Sequence, residues 1–204
     1  MEKQQDPSLV WLDTEYTSLE LEQARLVQVA MVVTDYQGRR VAAPDLDVVT
    51  PVRLPPEAPV SDFLATECPA LVVQARSEAA PSVETVDAML AARLDAILGP
   101  VPPKMSARPV LAGNSVHHDW WLARRFLPRF LARLHYRHLD VSSLKILWLR
   151  AGLGPEFKKE DVALMQDHLP GWVVPAHAAR HDALYDVMCS VAELNYYRRH
   201  FLRA

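Results

Sequence analysis

The chain has 204 residues, half of them apolar and 23% charged, with a formal net charge of −3. That is enough to bury one sizeable core, so a single domain over residues 1–204 is expected, and the charge excludes a protein that holds long nucleic acid through a general basic coat. Two distant cysteines, Cys68 and Cys189, form no disulfide framework or thiolate metal motif, and no apolar run has membrane-spanning length, so a soluble cytoplasmic protein without a membrane partner is expected.

Residues 9–12 and 26–35 are short β-rich runs separated by a polar turn and are predicted as neighbouring strands, with a third at residues 47–50. Between Thr50 and Pro81, prolines 51, 55, 56, 59, 69 and 81 forbid a long central strand and predict an irregular excursion with short helical pieces over the surface. Ser82 is placed to cap a helix whose apolar positions, from Val83 through Val86, Leu90 and Leu94 to Leu98, recur at helical spacing until Gly99-Pro100 stops it. Residues 110–112 form a short apolar strand running into the turn Gly113-Asn114-Ser115. Residues 120–134 then read as an amphipathic helix perturbed by Pro128, and residues 138–141 as another short strand. From His181 onward, Leu184, Val187, Met188, Val191, Leu194 and Tyr197 mark one face of a long terminal helix. Strands first, then strands alternating with helices, imply an α/β sheet with helices against its faces.

Asp13 and Glu15 follow the first apolar run, and two positions apart on a strand they face the same way. Carboxylates so close repel unless solvent screens them, one is protonated, or a cation bridges them. A strand reaching the surface also carries such pairs, so the other acids must decide. Asp119 lies at the head of one predicted helix, and Asp182 and Asp186 at the head of the last, where the helix dipole favours acids without any function. A histidine such as His181, one of eight in the chain, is by itself more often structural or on the surface than a base.

The joint pattern is more specific: Leu-Asp-Thr-Glu after a strand, Gly-Asn-Ser-x-x-x-Asp before a helix, and His-x-x-x-x-Asp opening the terminal helix. It resembles the DEDDh exonucleases, in which four acids bind two metal ions and a histidine serves as base. Residues 10–19, 135–145 and 190–201 are similar to oligoribonucleases in particular. The resemblance implies a ribonuclease H-like mixed β-sheet with helices on both faces. It implies that Asp13, Glu15, Asp119 and Asp186 hold two ions of Mg²⁺ or Mn²⁺, hard cations suited to oxygen ligands, with His181 as general base. Asp182 is the competing fourth acid.

The same resemblance implies a homodimer in which Tyr136 and Arg137 reach into the partner's site to cap a 5' phosphate, with Ser115, Ser142 and Ser143 as further phosphate contacts and Leu19 as a wedge against a base. Such a cap rejects longer chains because a continuing backbone would clash with it. Without the resemblance, Tyr136 and Arg137 are ordinary surface residues. The sequence departs from the family at Ser18, where glycine is usual, at Gln28, where an acid is usual, and at His118, where a glutamine is usual. No tryptophan lies between Trp11 and Trp120, where the family stacks one on a base, and Phe63 is the nearest aromatic substitute, equally readable as a core anchor.

The expected activity is 3'-5' hydrolysis of very short oligoribonucleotides, down to dinucleotides, to 5'-mononucleotides, with short RNA or short DNA as partner. The alternatives are an exonuclease of the same type acting on DNA or longer RNA 3' ends, and a non-catalytic binder of short nucleotides. Retention of four acids and a histidine argues against the binder, since an unneeded carboxylate cluster destabilises a fold.

Overall fold

The structure is a computed structural model and describes residues 8–174 and 182–201. Strand β1 (Leu9–Tyr16) runs antiparallel to β2 (Leu26–Thr34), which pairs antiparallel with β3 (Val48–Pro51). On its other side β1 is parallel to β4 (Val110–Gly113), and β4 is parallel to the edge strand β5 (His138–Asp140). The result is a mixed five-stranded sheet in the order β3-β2-β1-β4-β5, as the resemblance implied.

Alternation along β1 sorts its residues between two cores. Leu9 and Trp11 face one core, and Val10 and Leu12 face the other. The strand continues past its apolar run through Tyr16, so Asp13 stays in register opposite Ala30, and Glu15 opposite Gln28. Both acids therefore project on the Trp11 side. Strand β2 is buried along its whole length because helices cover both faces of the sheet.

On one face lie α3 (Val83–Leu98), α4 (His117–Phe126) and α5 (Pro128–Leu131), whose Leu90, Leu122 and Phe130 pack on Val10 and Met31. The predicted α3 forms as expected: the Ser82 hydroxyl accepts from the Thr85 amide, and Gly99 terminates the helix at a φ of 78° that disfavours a side chain. On the other face lie α6 (Val141–Arg150), α7 (Val162–Asp167) and α8 (Ala183–Phe201), bringing Trp148, Met165 and Met188 onto Trp11 and Val32.

Three expectations change. The excursion after β3 does contain short helices, α1 (Asp62–Glu67) and α2 (Pro69–Arg76), but it is not merely draped over the surface. It buries Leu54, Leu64, Leu71 and Ala75 with Val27 in a core of its own. The helix predicted at residues 120–134 starts earlier and divides into α4 and α5 at Pro128, which has no amide hydrogen to continue the ladder. Buried Asp87 of α3 supplies what that break exposes, accepting from the amides of Arg129 at 3.1 Å and Phe130 at 2.9 Å. Finally, the strand predicted at residues 138–141 stops at Asp140, whose carboxylate accepts from the Ser142 amide and starts α6. Helices α6 and α7 have no counterpart in the sequence reading.

Both cysteines are free and buried. Among the described residues, no helix is long and apolar enough to cross a membrane.

Candidate active site

The parallel strands β1 and β4 end side by side, and the chain leaves both toward the same edge of the sheet. Their approach is close: a Cβ at Gly113 would stand 3.1 Å from the Leu12 carbonyl oxygen. At this edge opens a cleft of about 480 Å³ that takes Asp13 and Glu15 from β1, Asp119 from α4 and Asp186 from α8. Four carboxylates from three separate stretches of chain thus converge.

Asp13, Glu15 and Asp186 each offer an oxygen, and the three lie within 4.8 Å of one another. Asp119 sits in the first turn of α4, buried, and accepts from the Thr14 hydroxyl at 2.7 Å. Thr14 alternates with Asp13 and Glu15, so one strand end supplies both the carboxylates and the anchor for a third acid.

Helix α8 is held in place at its first turn. The Gln28 side-chain oxygen, buried on β2 opposite Glu15, accepts from the Ala183 amide at 3.1 Å. Asp182 accepts from the amides of Leu184 at 3.0 Å and Tyr185 at 3.2 Å, which makes it the helix cap. Asp186, one turn on, faces the other two acids. A second tie comes from Asn114 in the turn after β4, which donates to Ser190 at 3.1 Å and Glu193 at 2.9 Å.

The electrostatic result is that Asp13, Glu15 and Asp119 resist ionising. Burial, then the charges of Asp119, Asp186 and Glu15, raise Asp13 well above the usual carboxylate range. Burial and then Asp186 push Glu15 up to about 8. Burial raises Asp119 to about 7 in spite of the Thr14 hydrogen bond. Among ligands for a cation, an all-oxygen anionic set selects a hard divalent ion, and such an ion would offset both the burial and the repulsion that raise these groups. The residues therefore fit a hard divalent metal ion.

Apolar groups stand opposite the acids. Leu19 is 81% exposed and Phe63 53% exposed, and both line the cleft with Ser115. Ser115 adopts a φ of 49°, and its amide donates to Asp140 at 3.0 Å and to the Ser142 hydroxyl at 2.9 Å. Ser142 thus supports the Ser115 turn from behind, and Ser143 lies further out, 3.4 Å from Asp140. Tyr136 and Arg137 do not line the cleft of their own chain. Tyr136 is exposed and stacks on His135 at 4.5 Å, and Arg137 lines a different hollow with Tyr36 and Leu144. His181 lies outside the described residues.

Of the departures seen in sequence, His118 lines the cleft and its Nδ1 lies 3.0 Å from the Tyr16 hydroxyl, while burial and the neighbouring His117 lower its pKa. The supports supplied by Thr14, Asn114 and Asp140 went unread as site residues. Each sits beside a motif residue, but a hydroxyl, amide or cap so placed has no sequence signal that separates it from a turn residue.

A family described as Exonuclease matches residues 10–194. Oligoribonuclease of Corynebacterium glutamicum (strain R) is 34% identical over 201 residues, covering 98% of this chain and 82% of that protein. Oligoribonuclease of Thiobacillus denitrificans is 33% identical over 96% of each chain. Among solved structures, E. coli exonuclease I in complex with a dT13 oligonucleotide has a TM-score of 0.66 at 17% identity, over 97% of this chain. Cell-death related nuclease 4 has a TM-score of 0.64 at 13% identity, over 96% of this chain. The chain spans 42% of the exonuclease I chain and 64% of the nuclease 4 chain, and at these identities the likeness is one of fold.

Proposed function

The chain belongs to the oligoribonuclease family of exonucleases, and from that premise we propose that it is a metal-dependent 3'-5' exoribonuclease that hydrolyses very short oligoribonucleotides to 5'-mononucleotides. The observation that carries the reading is the convergence of Asp13, Glu15, Asp119 and Asp186 on one cleft with exposed apolar walls. These four acids would hold two ions of Mg²⁺ or Mn²⁺. When bound, such ions activate the attacking water and stabilise the leaving oxygen.

The protein's own groups do the rest. Asp13, Glu15 and Asp186 supply the anionic face, and Thr14 and Gln28 hold the elements that present it. His181, five residues before Asp186, is the proposed base that takes the proton from the attacking water, a role for neutral imidazole. Leu19 and Phe63 offer apolar surface on which the bases of a dinucleotide can rest, with Phe63 in place of the larger indole. Ser115, Ser142 and Ser143 cluster around Asp140 at the turn after β4 and offer hydroxyls toward a phosphate.

Tyr136 and Arg137 do not line the cleft of their own chain, which leaves them free to serve the site of a second copy in a homodimer. Such a cap would enforce substrate shortness, because a two-ion centre by itself cuts any phosphodiester that reaches it. The test offers end-labelled RNA and DNA of two to ten nucleotides with and without Mg²⁺. The expected result is a Mg²⁺-dependent rate that falls with RNA length. A rate that rises with length, or a preference for DNA, assigns the chain to the alternative exonuclease reading instead, and binding without turnover assigns it to the non-catalytic one.

A further inference from the structure

The turn that presents Leu19, between β1 and β2, is held by a side chain from a distant helix. The Arg125 guanidinium reaches from the last turn of α4 and donates through Nη1 to the carbonyls of Glu22 at 2.6 Å, Leu21 at 3.3 Å and Ala24 at 3.4 Å. Its plane is backed by its own helix, 4.7 Å from the Phe126 ring and 5.9 Å from the Trp121 ring. Arg124 beside it lies 5.4 Å from the Trp120 ring and makes no such contact with the turn.

The carbonyls it collects are those of a single helical turn, closed by the amides of Gln23 and Ala24 bonding back to Glu20. Inside, Ala24 is fully buried and Leu21 packs on the same core as α4. At the cleft end, Thr17 accepts at its hydroxyl from the Arg25 amide and at its carbonyl from the Ser61 amide, and Ser61 caps the helix that bears Phe63. Leu19 therefore stands on a turn fastened at one end to the Phe63 wall and at the other to the helix that carries Asp119.

We propose that Arg125 is a positioning residue for the substrate: by holding the turn of residues 20–24 against α4, it sets the placement of the Leu19 wall relative to the carboxylates. The inference rests on the exonuclease reading above and adds a residue remote from the reacting atoms. Because Leu19 touches substrate but not the reacting phosphate, loss of the clamp weakens binding of substrate and transition state equally, which raises KM and spares kcat.

Arg125→Gln, Arg125→Lys and the neighbouring Arg124→Gln separate this from a general charge effect. For a short oligoribonucleotide, Arg125→Gln is expected to raise KM at least about tenfold, the lower range for loss of a hydrogen bond to a charged group, while kcat changes less than about twofold. Arg125→Lys, which keeps one charged nitrogen for the carbonyls, restores most of the affinity, and Arg124→Gln leaves KM in place. Amide exchange at Gln23 and Ala24 accelerates in Arg125→Gln alone. An unchanged KM, a fall in kcat at constant KM, or an equal rise in Arg124→Gln overturns the proposal. So does unaltered exchange in a protein that still cuts short RNA. An unsubstituted chain that cuts no short RNA overturns the functional reading and the substrate half of this proposal together, a different result from failure of the clamp.

Discussion

Replacing Glu15 by glutamine should make the metal-free protein more stable, although it removes a proposed metal ligand. Burial and the neighbouring Asp186 push the Glu15 carboxyl from 4.5 to about 8. The sign follows from where the proton sits. At pH 7 the unfolded chain carries this group ionised and the folded chain carries it protonated, so stability is lost as pH climbs from the unfolded value toward the folded one. At about 1.4 kcal/mol per pH unit, the cost at pH 7 is at most about 3.4 kcal/mol. Glu15 is partly exposed, which screens the effect, so an expected gain of about 1–2 kcal/mol for Glu15→Gln is the more realistic figure. That corresponds to a rise in Tm of about 3–6 °C for a chain of this size. Calorimetry in EDTA at pH 7 measures it, and at pH 5.5, one unit above the unfolded value, the difference should fall to less than about half. Saturating Mg²⁺ should raise Tm of the unsubstituted protein more than that of the variant, since only the native carboxylate set binds it fully. A variant no more stable than the parent in EDTA, or a gap that is the same at both pH values, would refute the picture of carboxyls held apart only by protons or a cation.

Other outcomes follow from the same geometry. Asp186→Asn should lower kcat by at least about 100-fold, as loss of a preorganised charge does, whereas Asp182→Asn keeps a capping oxygen and should leave kcat near that of the parent, both read in a single-turnover assay with Mg²⁺. Asp87→Ala strands the amides of Arg129 and Phe130 at the start of α5, and should cost about 2 kcal/mol in a urea titration without changing kcat of the folded fraction. Phe63→Ala should raise KM for a dinucleotide about tenfold, the scale of one lost base stack, and Phe63→Trp should lower it. Equal KM values for all three residues at position 63 would remove that wall from the binding site.

The sequence alone determined the elements whose periodicity is set by local rules. The alternation in β1, the Ser82 cap and Gly99 stop of α3, and the apolar face of α8 all appear where the pattern placed them, because each depends on neighbours within a turn or two. The acids were legible only through the joint pattern that resembles a known family, since a strand end or a helix start carries acids without any function. Helices α6 and α7 were not legible, since α6 leaves Ile146 and Leu147 exposed and its apolar spacing does not announce a buried stripe. Family spacing already favoured Asp186 over Asp182, and the tertiary structure adds what spacing could not: Asp182 caps α8, whereas Asp186, one turn on, lies beside Asp13 and Glu15. The tertiary structure also brought Gln28 to the start of α8, Thr14 to Asp119, and Arg125 to the turn after β1. Those contacts join residues separated by about a hundred positions or more, and no local pattern records a contact that exists only once the sheet has brought distant strand and helix ends to one edge.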